Sequence, residues 1–233
     1  MLKTPIEMDG WIPVNIRRQR HQAPRATTQA SHIHLHSAEG IDMATYHFEI
    51  ERKFAKPNHQ LLYHGTSLTF SASILHEGID LTQGNPQQNY SHNYGFYLYF
   101  DFQRALSWAK KRFPKDYVVL IFQVPNILLN SSINKGLLLN ACDGFMEMAL
   151  WKTIVQYCRS GYTINTWVEM VLEDLNFIQG PACSNLGPFL KRGKEPKFFK
   201  TDGHVSQQIC IRKNDYAKKF EAISDICGIV AKT

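Results

Sequence analysis

Two short stretches of the chain combine the residue types that a nucleotide-binding site needs. The first, Tyr63-His64-Gly65-Thr66, closes an apolar run, and the second, at residues 95–100, reads Gly-Phe-Tyr-Leu-Tyr-Phe. A histidine at a strand end can hydrogen-bond a sugar hydroxyl, a glycine allows a ligand close to the backbone, and a tyrosine ring can stack on a base. We therefore expect His64 and Tyr97 to face one cleft.

The elements around these stretches follow from apolar periodicity and capping residues. Strands are predicted at residues 60–64 and 95–100, and each is followed by a helix. Ser67 is expected to cap the first helix, over about residues 69–77, which Gly78 ends. Asp101 is expected to cap the second. The loop between helix and strand, at residues 80–93, is rich in Asn, Gln and Gly.

The rest of the chain predicts short strands with helices scattered among them. Further strands are predicted at residues 46–54, 117–124 and 206–212, and another from residue 167 that ends in the segment 176–181. Further helices are predicted at 102–112, 145–159 and 215–226. The strand at 117–124 is rich in β-branched residues and is expected to be central. This order of elements predicts an α+β domain rather than regular βαβ units.

Charge divides the chain into an extension and a domain. The net charge is +6, and the excess is concentrated near the N-terminus. Residues 1–44 are expected to be a basic, loosely ordered extension that attracts polyanions weakly, and residues 45–233 the folded domain. His32, His34 and His36 would share one face of a strand, but no further ligand lies nearby, so no metal is expected.

Composition excludes several classes of protein. No run of about 18 apolar residues is present, so neither a membrane span nor a membrane partner is expected. The five cysteines are odd in number and form no Cys-x-x-Cys pair, which favours a reducing compartment, cytoplasmic or nuclear. The sequence also lacks a P-loop and a Gly-x-Gly-x-x-Gly motif.

The order of the motifs resembles a known superfamily. The chain is similar to the ADP-ribosyltransferases, in the branch of poly-ADP-ribose polymerases and diphthamide-directed toxins. The similarity lies in the order of four features: Tyr-His-Gly-Thr, a helix, Gly-Phe-Tyr-Leu and then Phe-x-x-Ala-x-x-Trp-Ala. Small bacterial and fungal domains of that fold are similar too. The resemblance covers residues 60–220. It implies a split antiparallel β-sheet core with flanking helices, and an enzyme that transfers ADP-ribose from NAD to a protein or nucleic acid, releasing nicotinamide.

The resemblance implies roles for the first motif. His64 would bind a ribose hydroxyl of NAD and fix the sugar. Gly65 would pair its backbone with the nicotinamide carboxamide, because no Cβ blocks the approach. Thr66 would add a hydroxyl at the same place.

The second motif would supply aromatic contacts. Tyr97 would stack on the nicotinamide ring, next to Gly95 at the start of its strand. Tyr90 or Tyr94, in the preceding loop, would close the other face of the ring. Trp108 is instead expected to belong to the core of its helix.

The third element of the family is usually a glutamate on a late strand, and this chain departs from that pattern. Gln208 is the best match and Gln207 the alternative. Glutamine can hydrogen-bond a ribose hydroxyl, but it cannot act as a general base. Chain elongation is therefore not expected, and mono-ADP-ribosylation or NAD hydrolysis is. Other glutamates that could supply an acid are expected to be solvated, namely Glu147, Glu169 and Glu173.

Two other functions remain open at this stage. The missing glutamate allows a catalytically inactive domain that binds NAD, ADP-ribose or a protein. The basic extension allows a nucleic-acid-binding module, although no interleaving of arginines and aromatic residues marks a specific site. A nucleophilic thiolate at Cys142 is disfavoured, because no histidine is near it in the sequence.

Overall fold

The computed structural model describes residues 12–14, 33–37, 43–84, 88–92, 94–140, 144–160, 166–184 and 192–231. Over these residues the fold is α+β, with helices packed on a mixed but mostly antiparallel sheet. The α+β prediction is confirmed.

The described strands are β1 (Ile12–Val14), β2 (Ile33–Ser37), β3 (His59–Ser67), β4 (Phe96–Tyr99), β5 (Tyr117–Pro125), β6 (Gly136–Leu138), β7 (Phe177–Pro181), β8 (Lys200–Thr201), β9 (His204–Val205), β10 (Gln207–Ile211) and β11 (Asp225–Ala231). The described α-helices are α1 (Met43–Phe54), α2 (Leu68–Glu77), α3 (Phe102–Arg112), α4 (Phe145–Ser160), α5 (Thr166–Glu173) and α6 (Asn214–Ile223). Single 3₁₀ turns lie at Leu81–Gln83 and Asn126–Leu129.

Nine of the described strands form one sheet, in the order β1-β2-β11-β5-β3-β4-β10-β7-β6. Neighbouring strands are antiparallel except for β2 beside β11 and β6 beside β7, which are parallel. β5 lies inside the sheet and is buried along almost its whole length, as its β-branched sequence predicts. It pairs with every residue of β3, from His59 to Ser67.

The contact between β3 and β4 is very different. These neighbours share a single residue pair, Tyr63 with Tyr99. Beyond that pair the C-terminal half of β3 and the N-terminal half of β4 separate. The sheet is therefore open between two strands that are each fully paired on their other side, β3 with β5 and β4 with β10.

Three hydrophobic cores hold the helices on the sheet. Alternation along β3 sends Leu62 into a first core beneath α2 and α6, and Tyr63 into a second beneath α1 and α3. A third core packs α4 and α5 against β7 and β10, around the fully buried Trp151. Helices therefore lie on both faces of the sheet at the opening between β3 and β4, and they form its walls.

The helices that follow the two motifs begin and end as predicted. The Ser67 hydroxyl accepts a hydrogen bond from the Phe70 amide at 3.2 Å, and Gly78 ends α2 with its amide bonded to the Ile74 carbonyl. An Asp101 carboxylate oxygen accepts the amide of Gln103 at 2.8 Å at the start of α3. Both predicted caps are confirmed, so the chain turns sharply into a helix right after each motif.

One predicted strand is wrong throughout, and a second is right only in its last part, where residues 177–181 form β7. Residues 46–54 belong to α1, where Ile50 and Phe54 are buried one helical turn apart while Phe48 is 67% exposed. Residues 167–173 belong to α5, where Val168 and Leu172 are buried and Met170 is 66% exposed. In both stretches the apolar residues fit two patterns, an alternation typical of a strand and a spacing of four typical of a helix. The residues spaced by four are the ones buried in the core, so the helix forms.

The C-terminal end of the chain also differs from prediction. The last helix ends at Ile223 rather than Ile226, and the chain returns to the sheet as β11, between β2 and β5. Two pieces of the predicted extension, β1 and β2, continue the sheet beyond it. The rest of residues 1–42 lies outside the described residues.

Two further properties concern the helices and the cysteines of the described chain. Across the described ranges, no helix has both the length and the apolar character that crossing a membrane requires. The cysteines at 158, 183, 210 and 227 are all free thiols. Cys142 lies outside the described residues.

Candidate functional site

The opening between β3 and β4 is a cleft with an internal volume of about 200 Å³. That is smaller than the usual pocket for a drug-sized ligand, so the cleft encloses only part of a dinucleotide. His64, Gly65 and Thr66 line it from β3, and Gly95, Phe96 and Tyr97 from β4. The structure thus brings together the two stretches that the sequence marked. The other walls come from α2, from α3 with Phe113 after it, from residues 78–84 and from Gln88.

The backbone of Gly65 faces this cleft, as the hydrogen-bond pattern of the sheet requires. Just beyond the two ends of the β3–β5 ladder, Leu68 donates to the Asp116 carbonyl and Asn126 to the Asn58 carbonyl, both at 2.8 Å. Hydrogen-bonded pairs alternate along an antiparallel ladder. Even-numbered residues of β3 therefore bond to β5, and the odd-numbered ones direct N–H and C=O toward β4.

This alternation gives the cleft an edge with one donor and one acceptor. Tyr63 uses its backbone groups to pair with Tyr99. At Gly65 the strands have already separated, so the amide and carbonyl of Gly65 point into the opening. An N–H beside a C=O is complementary to a primary carboxamide, which carries one acceptor and two donors.

Gly65 is also required for packing on its other side. A Cβ at this position would lie 2.3 Å from the Ala105 carbonyl oxygen and 3.1 Å from the Ala109 Cβ. The glycine thus lets α3 lie directly against β3. The small residues of α3 predicted from the sequence are the ones that make this contact, and they hold the next side chains of the helix at the cleft.

His64 bridges the two strands where their ladder is missing. Its Nδ1 lies 2.7 Å from the carbonyl oxygen of Tyr97, and its ring stacks on Phe96 with centroids 4.2 Å apart. A carbonyl only accepts, so Nδ1 carries the proton and Nε2 is left as an acceptor. Burial lowers the pKa of His64 to about 4, against the smaller upward effect of the Tyr97 bond. The ring is neutral at physiological pH, and Nε2 suits a hydroxyl.

Tyr97 contributes its ring rather than its hydroxyl. The hydroxyl oxygen accepts the Tyr90 amide at 2.9 Å and bonds to the Ser91 hydroxyl, also at 2.9 Å. Burial raises the pKa of Tyr97 well above its ordinary value, so the phenol stays protonated. Since the protein engages the hydroxyl, a ligand in the cleft meets only the aromatic ring.

The two loop tyrosines do not line the cleft. Tyr90 is completely buried in the third core, where its hydroxyl donates to the Pro181 carbonyl at 2.6 Å and accepts the Trp151 indole N–H at 3.1 Å. Tyr94 is exposed and is not among the lining residues. Tyr90 thus supports Tyr97 from behind instead of closing over a ligand.

Gln208 lies beside the cleft rather than in its lining. It is opposite Tyr99 on β4 and Gly180 on β7, and it is only 1% exposed. Within the described ranges its side-chain nitrogen has no hydrogen-bond partner. Gln207 points to the other face of the strand and is half-buried. Of the two, Gln208 is the one on the same face of the sheet as Tyr97 and Tyr99.

Sequence reasoning missed an aromatic wall of the cleft. Trp108, Phe113 and Phe70 line it, with ring centroids of Trp108 and Phe70 each about 6 Å from that of Phe113. Trp108 packs against the second core, as expected, but it also faces the cleft. The sequence did contain a signal for the position of Trp108. Trp108 lies one helical turn after Ala105, which contacts Gly65, so the two side chains share the face of α3 that meets β3.

Few formal charges line the cleft. Arg112 of α3 and Asp80 after α2 are its charged groups among the described lining residues. Hydrogen bonds from Thr82 and Gln83 hold the pKa of Asp80 below its usual value. Across the described chain, no three His, Cys, Asp or Glu side chains are grouped as a metal site would need. The cleft is thus mainly aromatic, with directed backbone polar groups.

No protein-family model matches this chain, and no curated protein sequence matches it at a significant level.

Proposed function

We propose that the protein is an NAD-dependent mono-ADP-ribosyltransferase, acting on a macromolecular acceptor and releasing nicotinamide. The observation that carries the proposal is the joint presence, in one opening of the sheet, of the Gly65 backbone pair, the neutral His64 and the rings of Tyr97 and Trp108. An opening between the histidine strand and the tyrosine strand is also what the resemblance implies. The four cysteines within the described ranges are free thiols, which favours a reducing, intracellular location.

The nicotinamide end of NAD fits the inner part of the cleft. Its carboxamide would donate to the Gly65 carbonyl and accept the Gly65 N–H, with the Thr66 hydroxyl nearby. Its ring would lie against Tyr97 on one side and, in place of the loop tyrosines, Trp108 on the other. Two aromatic contacts and a bidentate amide pair fix both the plane and the orientation of the ring.

The sugar end would meet His64. A neutral imidazole with a free Nε2 accepts a hydrogen bond from a ribose hydroxyl and holds the sugar still. The bond from ribose C1′ to the nicotinamide nitrogen then breaks, and nicotinamide leaves with the bonding electron pair. The resulting oxocarbenium-like sugar is captured by a nucleophile of the acceptor, which loses its proton. Gln208 can orient the sugar but cannot take that proton.

A binding-only domain of the same fold is the second candidate. The observation that favours it is Gln208, which is not a carboxylate and lies outside the cleft lining. Such a domain would bind NAD or ADP-ribose without breaking the glycosidic bond.

Labelled NAD separates the two candidates. Purified protein is incubated with NAD, and nicotinamide release and transfer of the adenine-labelled part are both measured. His64→Ala is expected to lower nicotinamide release about 100-fold or more, because the sugar loses its fixed orientation. His76→Ala is the matched control, since His76 is an exposed histidine of α2 that does not line the cleft.

The outcomes are distinct. Nicotinamide release that His64→Ala leaves unchanged contradicts the assigned site. Calorimetric NAD binding without turnover supports the binding-only domain. Neither release nor binding by the wild-type protein rejects both candidates.

A further inference from the structure

Arg112, the last residue of α3, brings a positive charge to the lining of the cleft. Its side chain is exposed, and among the described residues no carboxylate forms an ion pair with it. Asp80, the carboxylate in the described part of the same lining, instead accepts hydrogen bonds from Thr82 and Gln83. The described part of the protein therefore leaves the charge of Arg112 available to an anionic ligand.

α3 runs alongside β3 in the same direction. Its first residue, Phe102, packs on Tyr63, with ring centroids 5.5 Å apart. One turn later Ala105 lies against Gly65. Tyr63 is where β3 still pairs with β4, and at Gly65 the two strands have separated. α3 therefore leads from the closed end of the cleft toward its open end.

The last turn of α3 lies at this open end. The Nζ of Lys110 is 5.4 Å from the centre of the Tyr117 ring, and Tyr117 pairs with Ser67, the last residue of β3. Arg112 comes two residues later and lines the cleft. It is two turns beyond Ala105, or about 10 Å along the helix axis. Arg112 thus lies where a ligand longer than the cleft would leave it.

The size of the cleft decides which part of NAD reaches Arg112. The internal volume of about 200 Å³ is small for a whole dinucleotide, and its inner part is assigned above to nicotinamide. The ribose and then the two phosphates follow that ring, so the phosphates lie toward the open end. Arg112 is one turn after Trp108 on the same face of α3. A ligand that stacks on Trp108 therefore directs its next groups toward a guanidinium.

We infer that Arg112 binds the diphosphate of NAD at the open end of the cleft, and so selects the dinucleotide over its phosphate-free fragments. A guanidinium fork matches the oxygens of phosphate. The identity of the ligand rests on the proposed function, whereas the role of Arg112 requires binding and not turnover. The alternative role is structural, because a cation in the last turn of a helix also stabilises the helix dipole.

Four ligands separate the two roles: nicotinamide, nicotinamide riboside, nicotinamide mononucleotide and NAD. Each is titrated calorimetrically into the full-length chain at low ionic strength. Arg112→Gln should weaken binding of the mononucleotide and of NAD about tenfold, through loss of a charge-assisted hydrogen bond, and leave the two phosphate-free ligands within about twofold. Lys111→Gln is the matched control and should change none of the four, because Lys111 is an exposed cation of α3 that does not line the cleft.

Charge reversal gives a second readout. Nicotinamide riboside is itself a cation, whereas the diphosphate of NAD is anionic. Arg112→Glu should therefore weaken NAD binding more than Arg112→Gln does, and it should bind the riboside at least as well as the wild type does. A structural defect in α3 would instead weaken both ligands.

The inference about Arg112 is overturned by either of two results. One is NAD affinity that Arg112→Gln leaves unchanged, since the phosphates would then lie elsewhere. The other is an equal loss for the ligands with and without phosphate, which would make Arg112 a structural residue of α3. In both cases NAD binding by the wild type leaves the proposed function standing. A wild-type protein that binds none of the four ligands rejects the role of Arg112 and the proposed function together.

Discussion

At the scale of single residues, the choice of hydrogen-bond partner decides what His64 can do. A carboxylate partner would favour the imidazolium, whereas the Tyr97 carbonyl fixes the tautomer and leaves burial to keep the ring neutral. A neutral ring presents an acceptor to a sugar and adds no positive charge beside a cationic nicotinamide. The role proposed for His64 therefore depends on its surroundings as much as on its type.

This environment predicts that stability depends on pH. The folded pKa of His64 is about 4, and the unfolded value is about 6.5. Between these values the unfolded chain binds a proton that the folded protein excludes. The contribution of His64 to stability is thus complete above about pH 6.5 and is lost as the pH falls toward 4, by about 2 kcal/mol at pH 5.

Urea unfolding near pH 7.5 and near pH 5 measures this effect. His64→Gln, whose amide can still donate to the Tyr97 carbonyl, should lose less stability on acidification than the wild type. Equal losses for the two proteins would show that His64 titrates alike in the folded and unfolded states.

Sequence reasoning found most residues of the cleft but not every partner. His64, Gly65, Thr66, Gly95 and Tyr97 follow from two local motifs, and all of them line the opening. The loop tyrosines could not be placed in the same way. Whether Tyr90 faces a ligand or a core depends on Trp151 and Pro181, which are distant in sequence and supply its hydrogen bonds.

At the scale of elements, the register of one helix against one strand shapes the cleft. α3 rests directly on β3 because Gly65 meets the Ala105 backbone without a side chain between them. That close approach brings Trp108 to the edge of the opening. Any residue larger than glycine would move the helix away from the strand.

Gly65→Ala is therefore expected to destabilise the fold by about 1–3 kcal/mol, because the new methyl group overlaps a backbone oxygen that cannot rotate away. It should also weaken nicotinamide or NAD binding as α3 shifts. Chemical denaturation and calorimetry measure the two effects. Gly144→Ala is the control, since a Cβ there meets nothing within 4 Å, and it should cost a few tenths of a kcal/mol. Equal stability of the two variants would refute the packing argument.

The elements that sequence reasoning missed have a common physical cause. In α1 and α5, apolar residues satisfy both a period of two and a spacing of four, and only the neighbouring sheet selects the helical face. β11 was not predicted because its hydrogen-bond partner is a strand far away in the sequence. It pairs with the edge of β5 that β3 leaves free, and residues 225–231 carry no local signal that this edge is open.

At the scale of the whole molecule, the sheet is one continuous structure with a local opening. β5 and β3 form one side, β4 and β10 the other, and the Tyr63–Tyr99 pair joins them. Cores on both faces continue past the opening, so the gap is held apart by packing and does not depend on a ligand.

Hydrogen exchange should reproduce this arrangement. Amides in the middle of β5 are expected to exchange slowest, since they are buried and bonded on both sides. In β3 the Gly65 amide should exchange faster than that of Thr66, which bonds to β5. Nicotinamide should slow Gly65 selectively. A Gly65 amide as protected as Thr66 without ligand would contradict the predicted direction of its N–H.

The position of Trp108 makes occupation of the cleft visible in solution. Its indole lines the opening, whereas Trp151 is sealed in the third core and Trp167 lies on the surface of α5. A nicotinamide ring stacked on Trp108 would quench part of the intrinsic emission of the protein, and Trp108→Phe would remove that response. The fold thus carries its own optical reporter, one that needs neither a label nor turnover.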